Sequence, residues 1–183
     1  MIVHAAHPAE PHVTPELDAA IRDLLVAAYP QHADVFSRHS FWGTVPEARV
    51  LLRDDTGALL AHLAYARRHV MVGPHEVLIA GVGAVCTHPR VQGRGLGKRL
   101  FQALLSDLRG NRPADFAFLG CREGVVAFYE RCGFTRLTQR VRYLDPDDDG
   151  WVEHPGPNML LPARAPLTAW PPAGLIDLRG LPW

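Results

Sequence analysis

The stretch Val91–Leu105, VQGRGLGKRLFQALL, places three glycines within five residues, directly ahead of leucine and phenylalanine at helical spacing. Main-chain N–H groups at a helix start have no partner inside the helix and carry the positive end of its dipole, so a start without bulky side chains is open to an anion. The loop therefore reads as a phosphate cradle. Leu96, Leu100, Phe101, Leu104, Leu105 and Leu108 predict a helix with one apolar face, ended by Gly110.

Spacing separates this loop from two common phosphate loops. A Walker loop needs glycine at Gln92 and a hydroxyl residue at Arg99. A dinucleotide-binding fingerprint needs glycine at Lys98 or at Leu100. What remains is Gln-x-x-Gly-x-Gly, carried by Gln92, Gly95 and Gly97, after a strand ending in VCTHP.

Working outward, Thr14-Pro15-Glu16 opens a first helix: a hydroxyl cap, a proline with preset φ and an acid in the first turn. Leu17, Ile21, Leu24 and Leu25 supply its apolar face, to about Tyr29. Turn signals at Asp54-Asp55-Thr56-Gly57 and Gly73-Pro74 divide the following apolar runs into a three-strand meander. Beyond the glycine helix, ADFAFLG reads as a buried strand, Glu123 to Arg131 as a short helix, and FTRLTQRVRYL as one further strand. From Pro146 prolines multiply, yet Met159, Leu160, Leu161, Leu175, Ile176 and Trp183 are too apolar for a free linker. Residues 1–183 are expected to be a single domain, with 146–183 an ordered extension near the acceptor cleft.

Composition narrows the function. The chain has 183 residues, 48% of them hydrophobic, with 19 basic and 19 acidic residues. That balance argues against general nucleic-acid or anionic-membrane binding. No apolar run reaches the roughly 18 residues of a membrane helix, and the N-terminus lacks a secretory pattern, so a cytoplasmic protein is expected. Cys86, Cys121 and Cys132 are an odd set without framework spacing and read as buried, inert thiols. His4 and His7 frame HAAH, which has no glutamate and lies in an expected strand, so no metal site is expected.

The strand, His88-Pro89, the glycine loop and the amphipathic helix together resemble motif A of the GCN5-related N-acetyltransferases (GNAT). Downstream, VVAFYERCGF resembles the second signature of that family at Tyr129, Gly133 and Phe134. The resemblance implies an α/β fold: a mostly antiparallel, twisted mixed sheet of six to seven strands with helices on both faces. It implies acetyl-CoA as donor, its pyrophosphate on Gln92, Gly93, Arg94, Gly95, Leu96, Gly97 and Lys98. The pantetheine arm would run along Val85, Cys86 and Thr87, with Cys121 beside it. Tyr129 would protonate the leaving thiolate, a role suited to a phenol with pKa near ~10.

Within that superfamily, Trp42 to Pro89 and WPPAGLIDLRG look like the nodulation protein A type N-acyltransferases. AHLAYARR, DDDG, Asp177, Arg179 and Trp183 are similar to aminoglycoside 2'-N-acetyltransferases. These resemblances imply acyl transfer to a primary amine of an aminoglycoside- or amino-sugar-like molecule, by direct attack. They place Asp148, Asp149, Asp177 and Trp183 at the acceptor. Asp147, His75, His88, His154 and the terminal carboxylate are further candidates for moving a proton. Both groups of relatives carry a glutamate on the strand before the loop; its places here are Gly81 and Gly83. Two alternatives stand beside acetyl transfer: a longer acyl chain, or a CoA-binding sensor that has lost catalysis. The exposed meander edge and apolar tail suit a homodimer.

Overall fold

The computed structural model describes residues 3–148 and 150–183. Among them are ten strands and four α-helices, so the α/β class with a mixed sheet holds while the strand count exceeds the expected six to seven. The chain divides into two compact units. One comprises Met1–Ala66, Val82–Ser106 and Trp183; the other comprises Arg67–Gly81 and Asp107–Pro182.

In the first unit, β1 (Val3–Ala6) pairs antiparallel with β2 (Ala48–Asp54), and β2 pairs antiparallel with β3 (Leu59–Val72), which sets Leu51 opposite His62. The turn between β2 and β3 is closed by Asp54, whose carboxylate accepts from the Thr56 and Ala58 N–H groups. Helix α1 (Pro15–Ala28) starts where its cap predicts: the Leu17 N–H donates to the Thr14 hydroxyl over 3.3 Å. Its Ile21, Leu24 and Leu25 pack with Phe36 of α2 (Ala33–Phe36), Leu51, and Cys86 of β4 (His75–Thr87). Each such apolar side chain contributes about 1.5–3 kcal/mol by leaving water. Helix α3 (Leu96–Arg109) buries Leu96, Leu100, Phe101, Leu104 and Leu108, the face its spacing predicts.

The second unit contains β5 (Phe116–Gly120), α4 (Val126–Arg131), β6 (Thr135–Leu137), β7 (Val141–Leu144), β8 (Trp151–His154), β9 (Asn158–Pro162) and β10 (Ile176–Asp177). Its strand order is β6-β9-β5-β4-β3-β10-β7-β8, with β4–β5 and β10–β7 parallel. The single strand expected over FTRLTQRVRYL is two, because β6 pairs with β9 while β7 pairs with β8 and β10. The additional strands come from the proline-rich tail. There β9 lies between β5 and β6, its Met159, Leu160 and Leu161 all buried. Short runs between prolines carry too little periodicity to announce themselves as strands. No helix among the described residues is long and apolar enough to cross a membrane.

Candidate active site

The glycine loop is as bare as its sequence suggests. Gly93 (φ +77°) and Gly95 (φ +75°) adopt left-handed conformations, and a β-carbon on either would meet nothing within 4 Å. Around them Gln92, Arg94 and Lys98 are exposed, whereas Leu96 and Gly97 face inward. Any ligand role of Leu96 therefore belongs to its main chain. The loop entrance is tied down by the His88 N–H, which donates to the Leu60 carbonyl over 2.8 Å, and by the Arg90 N–H, which donates to the His88 ring. A loop with no side chains at Gly93 and Gly95, at the start of α3 and flanked by the exposed Arg94 and Lys98, suits a diphosphate.

Upstream, β4 departs from a plain strand. Ala84 has φ +50°, a conformation costly for a residue with a β-carbon. Its carbonyl accepts from His62 Nδ1 at 2.9 Å, and the next carbonyl, of Val85, accepts from the Tyr29 hydroxyl at the end of α1. Val85 and Thr87 are half-buried, while the Cys86 side chain sits in the α1 core; burial pushes its thiol up to about 12. Cys86 can therefore offer a ligand only its main chain.

His62 is fully buried and touches a second buried group. The Arg49 guanidinium, also without exposure, donates to both Glu10 carboxylate oxygens at 2.7 and 2.8 Å, to the Ser40 carbonyl at 3.0 Å, and lies 3.3 Å from His62 Nε2. Burial foremost, then the Arg49 charge, lowers His62 to about 3, so the ring is neutral at physiological pH. Neither Arg49 nor His62 nor Tyr29 was singled out by sequence. Each reads there as an ordinary member of a strand or helix.

Beside this kink lies a cleft lined by aromatic Phe41, Trp42, Tyr65 and Trp183 together with Gly83 and Ala84. A β-carbon at Gly83 would lie 2.5 Å from the Trp183 carbonyl carbon. Position 83, one of the two places where relatives are expected to carry a glutamate, is thus closed to a side chain by main chain.

The other expected site residues belong to the second unit. Tyr129 is buried on α4, in edge contact with Phe128 and Phe134 at 5.1 and 5.5 Å, and Gly133 (φ +98°) terminates that helix. Cys121 is half-buried; burial first, then the Glu123 charge, raises its thiol, which disfavours a nucleophilic thiolate. Cys132 is also half-buried, so of the three cysteines only Cys86 meets the buried expectation. Asp148 is exposed in a turn, and Asp149 lies outside the described residues. Asp177 is half-buried and engaged: its carboxylate accepts from Arg142 at 2.5 Å and from the Arg179 N–H at 2.9 Å. Burial opposes ionisation there, but the Arg142 and Arg179 interactions prevail and lower its pKa. Among the described residues, no group of three His, Cys, Asp or Glu could hold a metal.

The architecture matches solved acyltransferases. A GNAT family N-acetyltransferase from Escherichia coli in complex with CoA superposes with TM-score 0.62, covering 97% of this chain and 91% of that one at 16% identity. An acyl-CoA N-acyltransferase from Pseudomonas aeruginosa gives 0.58, covering 87% and 99% at 18% identity. A GNAT acetyltransferase from Brucella melitensis in complex with acetyl-CoA gives 0.50 at 26% identity, covering 72% and 83%. The protein thus has the fold of the GNAT acyltransferases. Among sequences, the model of the family described as Nodulation protein A (NodA) matches residues 9–181, and the chain belongs to that family. Nodulation protein A of Rhizobium meliloti is 28% identical over 159 residues, covering 81% of this chain and 80% of the relative. That of Mesorhizobium japonicum is 26% identical over 151 residues, covering 77% and 75%.

Proposed function

We propose that the protein transfers an acetyl group from acetyl-CoA to a primary amine of a small, amino-sugar-like acceptor by direct attack. The nitrogen–carbon bond forms as the carbon–sulfur bond breaks; the amine gives up a proton and the departing thiolate receives one. The diphosphate is assigned to the main chain of Gln92–Lys98, including Gly93, Arg94, Gly95, Leu96 and Gly97, and the pantetheine arm to Val85, Cys86 and Thr87. Tyr129 is the proposed acid and Trp183 a proposed acceptor contact.

The observation that supports acetyl transfer is the aromatic lining of the cleft beside Gly83 and Ala84, supplied by Phe41, Trp42, Tyr65 and Trp183. Its aromatic lining offers flat faces to an acetyl methyl group or to the C–H face of a sugar ring. A second reading, transfer of a longer acyl chain, is favoured by membership of the nodulation protein A family. CoA release measured with acetyl-, octanoyl- and palmitoyl-CoA and glucosamine or a partly deacetylated chitooligosaccharide separates them. Acetyl-CoA is expected to give the highest kcat/KM; preference for palmitoyl-CoA would overturn the acetyl assignment, and CoA release with none of them would overturn acyl transfer to amino sugars.

A further inference from the structure

We propose that His62 is a positioning residue for acyl transfer, holding the kink of β4 at Ala84 through a fixed ring tautomer. This inference rests on the proposed function, since it concerns the strand assigned to the thioester arm. An arginine has only donors, so the His62 nitrogen facing it, Nε2 at 3.3 Å, presents its lone pair. The ring proton then resides on Nδ1 and is donated to the Ala84 carbonyl at 2.9 Å. Glu10 and Ser40 accept from the guanidinium on its other side, so donation runs outward from Arg49, to Glu10 and Ser40 one way and through His62 to Ala84 the other.

This chain ends on a strained atom set. Ala84 keeps φ +50° although alanine disfavours it, and such strain persists only where surrounding contacts over-determine the backbone. The next residue is Val85, its carbonyl held by Tyr29, and Ala84 itself lines the cleft. Loss of the His62 donor allows Ala84 to relax toward the extended region and turns the following peptide groups. Glycine at 84 adopts the positive φ without strain and makes the donor dispensable.

The test uses His62→Leu, His62→Asn, His62→Gln, Ala84→Gly and the His62→Leu/Ala84→Gly double variant. Acetyl-CoA affinity is read by calorimetry and turnover by CoA release with glucosamine, each protein first checked for cooperative unfolding. His62→Leu is expected to lower kcat by roughly 10²-fold, the scale of a 1 Å misplacement, with acetyl-CoA affinity changed less than about threefold. His62→Asn, whose amide can donate near the Nδ1 position, retains more activity than His62→Gln, and the double variant recovers turnover. A double variant no better than His62→Leu, equal Asn and Gln variants, or parallel loss of binding and turnover would overturn the proposal. Should His62→Leu not fold, the Asn and Gln comparison decides. Nitrogen-15 NMR of the wild-type ring reads the tautomer independently of any activity: an Nε2–H form at neutral pH sinks the inference whatever the enzyme transfers.

Discussion

The main chain of Trp183 occupies the space that a side chain at Gly83 would fill, with 2.5 Å between a β-carbon built at 83 and the Trp183 carbonyl carbon. Position 83 is therefore closed to any side chain larger than hydrogen unless the Trp183 segment moves.

Gly83→Ala forces that neighbour to move, since main chain rather than a flexible side-chain end stands in the way. Overpacking of this kind costs about 1–3 kcal/mol, and the expected readout is a lower midpoint in denaturant together with a red-shifted tryptophan emission. An unchanged midpoint would mean that the Trp183 segment yields without cost.

Stability should fall on mild acidification because of His62. The unfolded ring binds a proton near pH 6.5, the folded ring only near 3, so the contribution is complete above about 6.5 and is lost as pH drops toward 3. The slope approaches about 1.4 kcal/mol per pH unit. His62→Asn removes the titration, and its melting temperature is expected to vary less between pH 7 and 4 than that of the wild type.

Tyr129→Phe keeps the ring that packs against Phe128 and Phe134 and deletes only the hydroxyl. The expected result is a kcat lower by roughly 10²–10⁴-fold with acetyl-CoA affinity almost unchanged. Unchanged turnover with an active acceptor would remove Tyr129 from the reaction.

Gly93→Ala and Gly95→Ala each place a β-carbon where φ is near +75°. Backbone strain of about 1–2 kcal/mol favours a rearranged loop, and calorimetry is expected to show acetyl-CoA bound roughly tenfold more weakly, about 1.4 kcal/mol. The KM for the amine should stay close to that of the wild type.

Local chemistry was legible in the sequence, and so were the elements built from it. Thr14 caps α1, Asp54 and Gly57 turn β2 into β3, and the glycines from Gly93 precede α3, because capping, turn geometry and 3.6-residue periodicity act over a few residues. The open loop, the feature that most directly suggested a diphosphate-bearing donor, belongs to this group. Tertiary structure alone decided the rest. The insertion of β9 between β5 and β6 depends on pairing partners tens of residues apart, and the split of FTRLTQRVRYL follows from those partners. Arg49 meets His62 through strand register, His62 reaches Ala84 across 22 positions, and Trp183 covers Gly83 from the far end of the sequence. Such contacts leave no periodic trace, since burial and hydrogen bonding between remote residues are properties of the folded arrangement rather than of any short segment.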